Sequence, residues 1–188
     1  HGLGLAADVT QPDQVQEMME RIEQDLGRLD ILVNNAGGAL FGRDFPRTLD
    51  VNLMGTVHCC QAAAPIMQRQ QSGKIVNVGS QAGIIGRHGG PYSVAKAAII
   101  HYTRGLAAEL GPYNINVNCI APGWILSSRA VAGGRGDAEQ RERLESQIAL
   151  GRLGLPEDCA KVVEFLVTDL SDYVTGQTIP VCGGYVLC

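Results

Sequence analysis

The sequence predicts a parallel α/β sheet, and three observations carry that prediction. Short apolar runs without polar alternation recur along the chain, as in strands covered on both faces. Stretches with the period and length of crossover helices separate them. Small, turn-prone clusters follow the runs on their carboxyl side. A chain of 188 residues has room for one well-packed domain, and residues 1–188 are read as that single domain.

The elements follow in order. His1 to Ala7 read as the end of a strand. Thr10 is a candidate N-cap, with Pro12 in the first turn and Asp13 at the capping-box position. Val15, Met18, Met19, Ile22 and Leu26 then recur on one helical face, which Gly27 closes. Leu29–Val33 is the first unalternated apolar run. A helix over roughly Leu49–Gln70 leads through Ser72-Gly73 into a strand at Lys74–Val78. A helix from about Ser93 to Leu110 leads through Gly111-Pro112 into Ile115–Asn118. The polar stretch from Gly133 to Arg143 is expected to be a flexible loop or short helices. A last helix, Pro156–Leu166, leads through Gly176 into a strand at Gln177–Val181. Four strands alternating with helices imply parallel pairing through right-handed connections.

Composition excludes several classes. Lys and Arg number 15 against 19 Asp and Glu, for a formal charge of -4, with no basic stripe for nucleic acid. The longest apolar runs fall far short of a bilayer span, and no secretory leader pattern is present. The six cysteines form no C-x-x-C pair and read as reduced thiols of a cytoplasmic protein, with no metal site expected. Glycine is abundant, 24 residues, which suits tight turns and close backbone approaches.

In open parallel sheets ligands bind beyond the carboxyl ends of strands. Three clusters stand there: Asn34-Asn35-Ala36-Gly37-Gly38, Gly79-Ser80-Gln81-Ala82-Gly83 and Ala121-Pro122-Gly123-Trp124-Ile125. Any one could be turn chemistry, but three on one rim point to a site. Tyr92 and Lys96, four apart, share one face of a helix. The lysine charge can lower the phenol pKa and make Tyr92 an acid or base near neutral pH. Ser80, twelve residues earlier at a strand end, adds a hydroxyl to the pair.

Here the chain resembles the classical short-chain dehydrogenase/reductase family. The matching residues are Asp8-Val9, Asn34-Asn35-Ala36-Gly37, Asn52 within Asp50-Val51-Asn52-Leu53, Ser80, Tyr92-x-x-x-Lys96 and Pro122-Gly123. Arg152-Leu153-Gly154-Leu155-Pro156-Glu157-Asp158, Tyr173-Val174-Thr175-Gly176-Gln177 and Gly183-Gly184 complete the set, in family order along the whole chain. The resemblance implies a doubly wound, Rossmann-like parallel sheet and an NAD(P)-dependent oxidoreductase. Such an enzyme transfers a hydride between nicotinamide and a secondary alcohol or ketone. Tyr92 would exchange the proton of the reacting oxygen, Ser80 would hydrogen-bond that oxygen, and Lys96 would lower the phenol pKa and hold the nicotinamide ribose. Asn52 would hold a water linking Lys96 to solvent. Asp8 and Val9 would meet the adenine, and Asn35, Ala36 and Gly37 would pass the adenosine side. Pro122, Gly123 and Ile125 would pack under the nicotinamide, with Ser127, where the family more often has Thr, on its carboxamide. A small-molecule substrate and a homotetramer or dimer formed through the Leu49–Gln70 and Ser93–Leu110 helices are implied as well. Two alternatives remain open: a catalytically silent subunit on the same sheet, and epimerase or dehydratase chemistry. His88, next to the expected pocket, reads as a loop residue that could touch substrate.

The departures from the family pattern carry expectations of their own. No glycine-rich turn of the kind that cradles a pyrophosphate at a helix N-terminus is present. The family's opening strands and helices, about fifty residues, are expected to lie before His1. The choice between NAD and NADP would rest there. The stretch between Gly37 and Asn52 is roughly seven residues shorter than usual, close to two helical turns. The Ser80–Tyr92 interval is also slightly short, and Cys182 stands where an acidic residue is usual before Gly183-Gly184. Without the opening strands, Leu29–Val33 should be an exposed apolar edge, prone to aggregation. Dinucleotide binding by these residues alone should be poor.

Overall fold

The computed structural model describes residues 2–39, 42–86, 89–135 and 137–187. Four strands, β1 (Ile31–Asn34), β2 (Gly73–Val78), β3 (Ile115–Pro122) and β4 (Thr178–Val181), form one parallel sheet in sequence order. The register aligns Leu32 with Ile75 and Ile75 with Val117, so one apolar row crosses three strands. Pro180, which cannot donate to a ladder, sits in β4 at the edge, where that costs least.

Helices α1 (Pro12–Leu26), α3 (Gly55–Gln70) and α5 (Pro91–Leu110) cover one face, and α8 (Pro156–Val167) covers the other. On the first face Ile75 and Val117 pack against Cys60 and Met67 of α3 and Leu106 and Leu110 of α5. On the second, Val76 and Ile120 meet Leu166 of α8, flanked by Val162 and Val163. Each such large side chain taken out of water contributes about 1.5–3 kcal/mol. The α8 layer spans β2 to β4 and leaves β1 bare on that side, where Ile31 and Val33 remain 43% and 41% exposed. The exposed apolar edge expected at Leu29–Val33 is therefore present on the face that carries Ile31 and Val33. Leu29 and Leu32 pack inward instead.

Several boundaries differ from the sequence reading, each for a local reason. Thr10 does not cap α1. Gln11 holds that position without a side-chain bond, while the Thr10 N–H and hydroxyl both donate to Asp8 Oδ1 at 2.9 and 2.8 Å. Residues 2–8 join no sheet. The helix expected from Leu49 begins earlier, as α2 (Phe45–Leu49), because Asp44 accepts the Arg47 N–H at 3.1 Å and Pro46 suits a first turn. It runs through a π-helical turn at Asp50–Met54 into α3. A short helix α4 (Gln81–Ile85), unanticipated, follows β2. α5 begins at Pro91, which places Tyr92 inside its first turn. β3 runs on to Pro122. The polar stretch resolves as short helices: α6 (Ser128–Ala130), a π-helical turn at Val131–Arg135 and α7 (Ala138–Glu145). His88 lies outside the described residues.

Candidate active site

The site is assembled at the carboxyl ends of β1, β2 and β3. Asn34, the last residue of β1, is buried and donates to Asn77 Oδ1 at 2.9 Å, while Asn77 donates to Thr103 on α5 at 3.0 Å. That chain of amides fixes β1 against β2 and α5 before the rim begins. Asn35 and Ala36 then emerge exposed, and Gly37 and Gly38 turn back toward α3. Gly37 has φ +135, and a Cβ there would lie 2.6 Å from Asn52 Oδ1, so only glycine fits.

Asn52 sits fully buried in the π-helical turn. Its Oδ1 accepts the Gly38 N–H at 2.9 Å, and its amide donates to the Gly38 and Thr48 carbonyls, each at 3.1 Å. Its own carbonyl accepts the Thr56 hydroxyl at 3.1 Å. The Asn52 side chain is thus a clamp that ties the β1 loop to the helix. π-Helical turns often mark functional positions because they free backbone groups from the ladder.

Ser80 ends the β2 rim and caps α4. Its Oγ accepts the Ala82 N–H at 3.2 Å, which leaves the hydroxyl proton to be donated elsewhere, and the residue is 7% exposed. The cap does not consume the hydroxyl. α4 then lies directly on α5: a Cβ on Gly83 would come within 2.6 Å of the Lys96 carbonyl carbon and the Ala97 nitrogen. The two backbones touch where the lysine stands.

Lys96 is 4% exposed and donates to the Val78 carbonyl at 2.7 Å, reaching down to the end of β2. Its ammonium lies 5.7 Å from the centre of the Tyr92 ring, one turn back on α5. Burial brings its pKa from 10.5 down to about 8. It therefore remains mostly cationic at neutral pH, in a setting of low dielectric where its charge acts strongly.

The third rim, Pro122–Ile125, is anchored from two sides. The Gly123 N–H donates to Val181 O at 2.9 Å, and a Cβ there would meet Cys182 at 2.7 Å and Gln81 Oε1 at 2.9 Å. Ile125 bridges to Gly154. The Arg152–Asp158 pair, at 2.7 and 3.1 Å, and the bond from Leu155 N–H to Asp158 hold that support at the start of α8, and they keep the Asp158 carboxyl well below the usual range. Ser127 caps α6 through the Ala130 N–H at 3.3 Å, and Arg129 of α6 reaches across to the Gly37 carbonyl at 3.1 Å. Asp8 is exposed in the turn before α1, and Val9 packs against Gly55 and accepts at its carbonyl from, or is paired with, His58 Nδ1 at 3.0 Å.

A cavity of about 410 Å3 opens in front of these rims. Gln81 and Ala82 line it beside Ser80, and Ser93 lines it beside Tyr92, so the neighbours of the two residues open onto one space. That volume lies in the range of small-molecule sites. The remaining wall comes from Trp124, in edge contact with Tyr185 at 6.2 Å between ring centres, and from α7.

A family model described as enoyl-(acyl carrier protein) reductase matches residues 2–186. Cyclohexanol dehydrogenase of Rhodococcus sp. strain TK6 is 48% identical over 198 residues, covering 97% of this chain and 72% of that protein. The 3-oxoacyl-(acyl-carrier-protein) reductase of Thermotoga maritima is 42% identical over 188 residues, covering 96% and 75%. Among solved structures, a putative short-chain alcohol dehydrogenase from Sinorhizobium meliloti 1021 superposes with TM-score 0.88 at 35% identity, over 96% of this chain and 75% of that one. An NAD+-bound xylitol dehydrogenase gives 0.86 at 31%, over 96% and 78%. An NADPH-bound ElxO variant gives 0.85 at 34%, over 95% and 75%. The chain belongs to the short-chain dehydrogenase/reductase family.

The positions that the short-chain dehydrogenase/reductase resemblance assigns to chemistry and to cofactor thus fall into two groups. Ser80, Tyr92, Lys96 and the Pro122–Ser127 segment converge on the rims of β2 and β3, and Asn52 stands behind the β1 loop. Asp8 and Val9 lie in the turn before α1, where Val9 meets Gly55 at the start of α3. Sequence reasoning passed over Tyr185, named Trp124 only within its strand-end cluster, and singled out no residue of α7. Gln140, Arg143, Leu144 and Gln147 repeat at three- and four-residue spacing, the one signal that could have marked a shared face. No helix among the described residues is long and apolar enough to cross a membrane.

Proposed function

We propose that this chain carries the catalytic machinery of an NAD(P)-dependent oxidoreductase acting on a secondary alcohol or ketone, with Ser80, Tyr92 and Lys96 at its centre. The observation that carries the reading is the buried Lys96 ammonium, 5.7 Å from the Tyr92 ring, behind a cavity that the neighbours of both Ser80 and Tyr92 line. The residues fit the nicotinamide end of a dinucleotide. A buried cationic amine reaches the end of β2, the strand between β1 and β3, whose carboxyl ends lead into Asn35–Gly37 and Pro122–Ile125. NAD or NADP, when bound, supplies or accepts the hydride.

The chain's own residues handle the oxygen. In the reducing direction the Ser80 hydroxyl donates a hydrogen bond to the carbonyl and fixes its position. Tyr92 transfers its phenolic proton to that oxygen. Lys96 stabilises the negative charge left on the phenol, an interaction strengthened by its burial. Asn52 holds the β1 loop with its side chain, so holding the water that links Lys96 to solvent falls to its backbone carbonyl as an acceptor. Asp8, Val9 and Ser127 extend the same cofactor track. We place the protein in the cytoplasm as a homodimer or homotetramer built on α3 and α5.

Substituting Tyr92 by Phe in the full-length protein tests this reading. Turnover of a ketone panel, followed by nicotinamide absorbance, should fall by about 10²–10⁴-fold, the usual share of a positioned acid or base. Cofactor binding should survive. Unchanged turnover would end the assignment.

A further inference from the structure

The relatives are named for unlike substrates, cyclohexanol and a 3-oxoacyl carrier protein, so kinship leaves the substrate of this chain open. The cavity wall narrows it. α7 presents Gln140, Arg143 and, just past its end, Gln147 to the cavity from one helical face. The opposite face carries the Arg141–Glu145 ion pair at 2.8 Å. Arg143 forms no ion pair among the described residues, and neither Glu139 nor Glu142 on the same helix comes within ion-pair distance of it. Among the described residues, the lining of the cavity holds this one cation and no carboxylate.

We infer that Arg143 is a specificity-determining residue that selects a ketone or alcohol bearing an anionic group, a carboxylate or phosphate, at the end remote from the reacting carbon. The guanidinium takes the anion in a charge-assisted, fork-like contact. Gln140 and Gln147 flank it with amide donors. The inference rests on the oxidoreductase reading only in assigning the cavity to substrate; recognition of an anion there stands on the lining itself.

Trp124, the single tryptophan, lines the cavity and reports occupancy without any turnover. Fluorescence titrations with levulinate, its methyl ester and a keto phosphate of similar length should show the acid binding at least about tenfold tighter than the ester, as a charge-assisted hydrogen bond allows. Arg143→Gln should erase that difference, and Arg143→Lys should keep part of it. A tighter keto phosphate identifies the anion as a phosphate ester, and a tighter levulinate identifies it as a carboxylate. Equal affinity for acid and ester, or a preference that survives Arg143→Gln, overturns the inference. Turnover separates the two readings. If ketones are reduced with no preference for the anion, the specificity falls and the oxidoreductase stands. If no ketone is reduced while Arg143→Gln still abolishes levulinate binding, the specificity stands and the reaction falls.

Discussion

Replacing Lys96 by Met should stabilise the chain while removing its activity. Lys96 is 4% exposed, and burial, opposed only by the nearby Cys119, brings its pKa from 10.5 to about 8. At about 1.4 kcal/mol per unit, keeping the ammonium charged in that setting costs roughly 3 kcal/mol at neutral pH. Methionine fills nearly the same volume without a charge, but it forfeits the bond to the Val78 carbonyl, worth about 1 kcal/mol. The net gain is about 2 kcal/mol, which raises the urea midpoint by about 1 M for a chain of this size. The pH dependence has a definite sign. Between about 8 and 10.5 the unfolded lysine holds a proton that the folded one has lost, so the parent gains stability as pH rises through that window. The advantage of the variant is therefore full below pH 8, and it shrinks and reverses slightly near pH 10.5. Urea unfolding of both proteins at several pH values measures this directly. A variant that is less stable at pH 7, or a difference that stays flat with pH, refutes the burial argument.

Three further outcomes follow from the same geometry. Gly83→Ala should cost about 1–3 kcal/mol by overpacking, because its Cβ would meet the α5 backbone at 2.6 Å. It should also lower kcat more than it changes KM, since it pushes Ser80 away from Tyr92; a thermal melt and steady-state kinetics check the pair. Asn52→Ala should cost about 3 kcal/mol by leaving the Gly38 and Thr48 groups unpartnered, read as a lowered urea midpoint. Val33→Lys, on the bare face of β1, should suppress concentration-dependent light scattering while changing stability by no more than about 0.5 kcal/mol.

β2 and β3 were legible because their apolar runs are buried on both faces, and Ile75, Val76, Val117 and Ile120 all prove to be core. β3 was read short for a physical reason. Asn116 and Asn118 look like a polar end, yet Asn118 is 1% exposed, donates to Val174 O at 2.8 Å and accepts from the Gln177 N–H at 3.0 Å. A strand keeps a buried amide when a neighbouring loop satisfies it, and that loop lies some sixty residues away in sequence, beyond any local pattern. The early start of α2 was legible in principle from Asp44 and Pro46. Tyr92, Lys96 and Ser80 were readable because their spacing is local or strand-bound. The α7 face was not, since exposed polar residues carry no burial signal until the cavity in front of them is known.

The clamp on the β1 loop is one of three places where the site requires a glycine. At Gly37 a side chain would strike Asn52, at Gly83 the backbone at Lys96, and at Gly123 both Cys182 and Gln81. Each is a point where a segment leaving a strand must approach its neighbour more closely than any Cβ permits. A larger residue at any of them would move Asn52, Ser80 or the Pro122–Ile125 turn outward by about an ångström, and displacements of that size in a reacting constellation are costly in rate. The core tolerates exchange among Val, Ile and Leu at roughly constant volume. The rims do not, because what they conserve is a distance between backbones.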